Sequence, residues 1–156
     1  MPTHAEKRIV AYGAEQMFDL IADVASYPQF LPWIAAARIR SRRPLPDGAG
    51  EVIEADLVVS FKLFRERFTS RVTLRPEARS IDVEYLDGPF KYLRNHWKFD
   101  PRGANHCEID FFVDFEFRSA ILQKVIGLVF NEAMQRIVRA FERRAEELYG
   151  VRTASA

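Results

Sequence analysis

Between Ile34 and Phe117 apolar and polar residues alternate with period two, and that long alternation is what most narrows the folds open to this chain. Turn-forming clusters interrupt it at Pro44 to Gly50, Pro76 to Arg79, Asp87-Gly88-Pro89 and Asp100 to Asn105, and the alternating segments number six. One face collects Ile53, Ala55, Leu57, Val59 and Phe61, then Phe68, Val72 and Leu74, then Ile81, Val83 and Tyr85. Leu93, Trp97 and Phe99 follow, and last Ile109, Phe111, Val113, Phe115 and Phe117. The other face carries Glu54, Asp56, Arg67, Arg71, Asp82, Glu84, Arg94, Lys98, Glu108, Asp110, Asp114 and Glu116. Successive strands joined by short turns, wet on one face and apolar on the other, describe an antiparallel sheet.

The apolar face must be covered. Ser119 to Tyr149 is the long helical segment available, with Leu122, Val125, Ile126, Val129, Ile137, Phe141 and Leu148 as its buried stripe, Ser119 as N-cap and Gly150 as its stop. Gly127 interrupts the pattern at a cost of about 1 kcal/mol relative to alanine, which implies either close backbone packing or room for a guest. Upstream, Thr3 to Tyr12 reads as a first strand. Met17, Leu20, Ile21 and Val24 then recur at helical spacing. The segment Tyr27-Pro28-Gln29-Phe30-Leu31-Pro32-Trp33 holds two prolines, which forbid a continuous helix, and four large apolar side chains, which suit either a loop folded onto the core or the lip of an apolar pocket.

A length of 156 residues suits one domain, placed at 1–150, with a disordered tail at 151–156. Twenty-three Lys and Arg against 22 Asp and Glu give no global drive toward nucleic acid or anionic lipid. Cys107 is the single cysteine, which excludes an intramolecular disulfide and suits a reducing compartment. Without a leader pattern or an apolar run approaching the roughly 20 residues of a spanning helix, the expected location is the cytoplasm. His4, His96 and His106 are dispersed, outside any metal-ligand spacing. No catalytic residues and no metal ligands are assigned, and the expectation is a protein that is not an enzyme.

The order strand, short helix, six strands, long helix resembles the helix-grip fold of START-related lipid carriers and the birch pollen allergen family. The expected class is therefore α+β, a curved seven-stranded antiparallel sheet wrapped around the C-terminal helix. Ala14-Glu15-Gln16-Met17-Phe18 leading to Asp23-Val24-Ala25-Ser26-Tyr27-Pro28-Gln29-Phe30-Leu31-Pro32-Trp33 resembles the opening signature of the coenzyme Q-binding START family. Asp87-Gly88-Pro89-Phe90-Lys91-Tyr92-Leu93 with Trp97-Lys98-Phe99 is similar to a second block of that family. Asp114-Phe115-Glu116-Phe117, with Val129-Phe130-Asn131-Glu132, is similar to a third. The resemblance implies a non-catalytic carrier or chaperone for a polyprenylated quinone, ubiquinone, in support of respiratory electron transport, with no cofactor required. The same family includes a bacterial ribosome association toxin, so a factor that blocks joining of ribosomal subunits is the alternative. A cyclase or aromatase of the same fold is the least favoured class.

A quinone head carries acceptors alone, so its pocket needs a few donors in an apolar lining. Ser70 and Asn95 fall on the inward register and are the candidate donors, each equally able to bond a backbone carbonyl. The lining expected for a quinone or another hydrophobic small molecule is Leu57, Val59, Phe61, Phe68, Val72, Leu93, Trp97, Phe111, Phe115, Val125 and Val129. The mouth is placed at Tyr27, Phe30, Leu31 and Trp33, facing Phe90 and Tyr92, with Lys91 at the rim for peripheral membrane contact. Positive charge concentrates in Arg38-Ile39-Arg40-Ser41-Arg42-Arg43 and in Lys62, Arg65, Arg67 and Arg71, where it meets either acidic neighbours or, under the alternative, ribosomal RNA phosphate.

Overall fold

A computed structural model of the chain describes residues 3–61 and 64–151. Its elements run β1 (Thr3–Val10), α1 (Ala14–Ala22), a 3-10 helix (Val24–Gln29), β2 (Ile34–Pro44), β3 (Glu51–Phe61), β4 (Phe64–Arg75), β5 (Ser80–Asp87), β6 (Phe90–Pro101), β7 (Cys107–Phe117) and α2 (Ala120–Tyr149). The seven strands form one open antiparallel sheet in the order β1-β7-β6-β5-β4-β3-β2, with α2 laid over its apolar face. This is the α+β helix-grip arrangement. The first strand stops at Val10, before Ala11 and Tyr12, which are buried beyond it. Of the expected tail at 151–156, residues 152–156, like Lys62, lie outside the described residues.

The period-two pattern reads through into burial. Ile53, Ala55, Val72, Leu74, Ile81, Phe99, Ile109 and Phe111 are all buried on the inner face. Bulges between Ile34 and Ala36, Ile39 and Ser41, Thr69 and Ser70, and Phe90 and Tyr92 give the strands local bends. Gly88 sits at φ 141 in the β5–β6 turn with its Cα against Phe68, where any Cβ would stand 2.6 Å from the Phe68 Cβ. Only glycine fits there.

Both ends of α2 are fixed as the sequence indicates. The Ser119 hydroxyl accepts from the Leu122 amide at 3.2 Å, and Gly150 ends the helix at φ 90. The C-terminal end is also tied down laterally: the Tyr12 hydroxyl donates to the Gly150 carbonyl at 2.7 Å, and the Tyr149 hydroxyl donates to the Gln16 carbonyl at 3.1 Å. Phe130, Ala133, Met134, Phe141 and Ala145 bury the later turns. On the first three turns Ile121, Val125 and Leu128 are 77%, 40% and 81% exposed. Among the described residues no helix is long and apolar enough to cross a membrane.

Candidate functional site

A cavity of about 360 Å³ lies between the first half of α2 and the sheet. Trp33, Val59, Phe61, Phe64 and Phe117 form its sheet side, while Leu122, Val125, Ile126, Val129 and Ala133 form its helix side. Its polar groups are Glu132 and Arg136, at one end. Such a volume and lining lie within the range of small-molecule sites. Trp33 holds the lip in a backbone conformation rare for a bulky residue, φ 67. Its carbonyl accepts from the Ser60 amide at 2.8 Å, and its indole packs edge-on against Phe61 with ring centroids 5.8 Å apart.

Of the lining read from the sequence, Val59, Phe61, Val125 and Val129 are brought together here. Leu57, Phe68, Val72, Phe111 and Phe115 are instead buried core, and Leu93 is half-buried against that core. Trp97 packs at a tilt against Phe111 with centroids 4.4 Å apart and meets Phe141 edge-on. The space beside Trp97, Phe111, Met17 and Ile21 amounts to about 20 Å³, too little for a ligand. The middle of the grip is thus filled by aromatic side chains, which displaces the cavity toward the start of α2.

The two expected donors fare differently. Asn95 is spent on the fold: its amide donates to the Phe112 carbonyl at 2.9 Å and its side-chain carbonyl accepts from the Trp97 indole at 3.0 Å. Ser70 is buried on the inner face but lies away from the cavity lining.

The mouth also needs correction. Trp33 lines the cavity, but Tyr27 and Phe30 pack edge-on against Phe141 on the later turns of α2. Tyr27 donates to the Ile21 carbonyl, and burial raises its phenol well above the ordinary range. Phe30 and Leu31 border a separate surface groove along α2. Phe90 is buried in an aromatic cluster with Phe68, Tyr85, Phe115 and Phe117, because its bulge turns it inward. Tyr92 faces Asp114, and Lys91 pairs with Glu116 at 2.8 Å beside a second groove. Gly127 borders that outer groove, with nothing within 4 Å of where its Cβ would be. Close backbone packing is therefore not what the glycine serves.

The sequence reading missed the inner face of β1. His4 and Arg8 both bond Glu6, at 3.0 and 2.8 Å, and Arg8 also pairs with Glu142 of α2. Burial pushes the Glu142 carboxyl above its usual range, while Arg8 pulls it back. The inner register of β1 carries His4, Glu6 and Arg8 while Ala5 and Ile9 fall on the outer one, so alternation gave no signal for that face.

Part of the positive charge concentrated on β2 and β4 meets acids. Arg40 reaches Asp56 at 2.9 Å, Arg42 reaches Glu51 at 2.8 Å, and Arg71 reaches Glu84 at 3.3 Å. Asp56 is only 4% exposed and also accepts from Thr69 at 2.6 Å.

A seven-stranded grip closed by a long terminal helix, with an apolar cavity beneath that helix, defines a fold of the START type. The chain belongs to the polyketide cyclase / dehydrase and lipid transport family, whose model matches residues 10–142. It is 41% identical over 144 residues to the ribosome association toxin RatA of Rickettsia prowazekii, spanning 90% of this chain and 94% of that one. It is 30% identical over 151 residues to a mitochondrial coenzyme Q-binding protein, COQ10 homolog B of Xenopus laevis, spanning 94% of this chain and 59% of that one. Among solved structures it is similar to the 18 kDa protein CC1736 of Caulobacter crescentus, with a TM-score of 0.78 and 38% identity over 97% of this chain and all of that one.

Proposed function

We propose that the chain acts on ribosomal subunit association, by binding and without a chemical step. The supporting observation is similarity along almost the entire chain to a relative named for that activity, at higher identity and with fuller coverage of the relative than the quinone-binding protein gives. The test is cosedimentation of purified protein with isolated 30S and 50S subunits in sucrose gradients at low and high salt. The reading expects the protein to travel with one subunit and to be released as salt rises, because contacts to RNA phosphate weaken with ionic strength. Free protein at the top of every gradient would overturn it.

A second reading is favoured by the cavity itself: the space between Trp33, Phe61 and Val129 holds an apolar ligand, for which a polyprenyl quinone is one candidate. Burying apolar surface is worth roughly 25 cal/mol per Å², so a few isoprene units would supply several kcal/mol. Organic extraction of protein purified from cells, followed by mass spectrometry, tests this reading. A stoichiometric lipid supports it, and a ligand-free extract from protein whose cavity also excludes added apolar probes overturns it. Both readings place the protein in the cytoplasm, with quinone exchange at a membrane surface under the second.

A further inference from the structure

We propose that the cavity accepts an amphiphile with an anionic head, a carboxylate or a phosphate monoester carried on a single apolar chain. The proposal rests on the reading of the cavity as a ligand site and goes further by naming what the ligand's polar end must be.

The cavity interior is apolar, and its polar groups, Glu132 and Arg136, stand together at one end. Those same two residues also border the surface groove between α2 and the Pro28 to Pro32 segment, so the groove begins where the cavity ends. Along the groove Arg136 is followed by Arg139 and Arg143. Spacings of three and four residues put all three guanidinium groups on one side of α2, over roughly 10 Å of helix axis. Glu132 is the one acid among the groove's lining residues, so three positive charges face one negative charge.

That single acid does not neutralise the groove. Arg136 meets Glu132 at 3.3 Å with side chains 58% and 66% exposed, an exposed pair of the weak kind. Arg139 directs its Nε toward the Gln135 carbonyl at 3.4 Å, which leaves its terminal nitrogens for other partners. Three of the four arginines of β2 differ, since Arg40, Arg42 and Arg43 each face a carboxylate across the strand pair. A head with a formal charge gains charge-assisted, bidentate bonds from guanidinium groups, whereas a neutral carbonyl gains single bonds. The tail is sized by the volume: at the roughly 30 Å³ that a water-sized group occupies, 360 Å³ takes about a dozen carbons.

The experiment is titration of the purified full-length chain with dodecanoate, dodecyl phosphate, dodecanol and inorganic phosphate, followed by calorimetry. Both anionic amphiphiles are expected to bind about tenfold more tightly than dodecanol, in keeping with one or two charge-assisted bonds. Inorganic phosphate is expected to compete with neither at equal concentration. The double substitution Arg136→Gln, Arg139→Gln should bring the anions down to the affinity of dodecanol and leave dodecanol unchanged. Val129→Trp should abolish binding of all three, with an unchanged circular dichroism spectrum showing that the variant folds. Equal binding of dodecanol and dodecanoate, an unaffected double variant, or displacement by phosphate alone would each overturn the head-group assignment while leaving the cavity as a ligand site. Failure of all three amphiphiles to bind would overturn the cavity reading itself, and this proposal with it.

Discussion

Trp97 donates its indole N–H to the side-chain carbonyl of Asn95, 3.0 Å away on the same face of β6. Asn95 in turn donates to the Phe112 carbonyl of β7, so the amide joins a core tryptophan to the neighbouring strand. Asn95→Leu leaves an indole N–H and a backbone carbonyl without their partner, at about 1 to 3 kcal/mol. Urea unfolding should register that loss while affinity for apolar probes stays within twofold. A large affinity loss at unchanged stability would return Asn95 to the binding site.

Val129 lines the cavity and Trp97 does not. Val129→Trp is therefore expected to block the space with little change in unfolding midpoint, whereas Trp97→Ala is expected to cost about 3 to 5 kcal/mol as a core deletion. Thermal unfolding and probe binding measured together on both variants separate the two roles.

Gly127 faces open space on an exposed turn of α2. Gly127→Ala should stabilise the protein by about 1 kcal/mol through helix propensity. For a chain of this size that raises the melting temperature by about 2 to 4 °C. A fall in melting temperature would show that the glycine is needed for a contact this account does not include.

Cys107 is fully buried, and that burial, with a smaller contribution from Asp100, raises its thiol from 9.0 to about 11. A folded value above the unfolded one favours the protonated thiol in the native state. Its stabilising contribution is intact below pH 9 and is lost as pH rises toward 11, at about 1.4 kcal/mol per unit. Disulfide-exchange reagents at pH 8 should label the native protein at least about a hundredfold more slowly than the urea-unfolded chain. Cys107→Ala should flatten the alkaline loss of stability. Comparable labelling rates in the two states would contradict this placement.

The sheet was legible because each inner strand presents one apolar and one polar edge, as in Ile53, Ala55 and Leu57 against Glu54 and Asp56. Ser119 and Gly150 marked the ends of α2 by their chemistry. The cavity's position was not legible. Periodicity assigns a residue to a face, but it does not say whether the facing space is filled. Here Trp97, Phe99, Phe111 and Phe141 fill the middle of the grip, and the free volume moves to the start of α2, where Val125 and Val129 stand over Phe61 and Trp33. Phe90, placed at the mouth from the sequence, is instead buried, next to a register shift between Phe90 and Tyr92 that alternation does not show. The arginine groove was missed because Arg136, Arg139 and Arg143 meet the Pro28 to Pro32 segment only through the tertiary fold.

The most direct test of the central claim is light scattering of 30S and 50S subunits mixed at a magnesium concentration that favours joining. With stoichiometric protein added beforehand to the subunit that carries it in gradients, the account predicts a dose-dependent fall in the 70S signal, retained by Val129→Trp. A full 70S signal at saturating protein would contradict it.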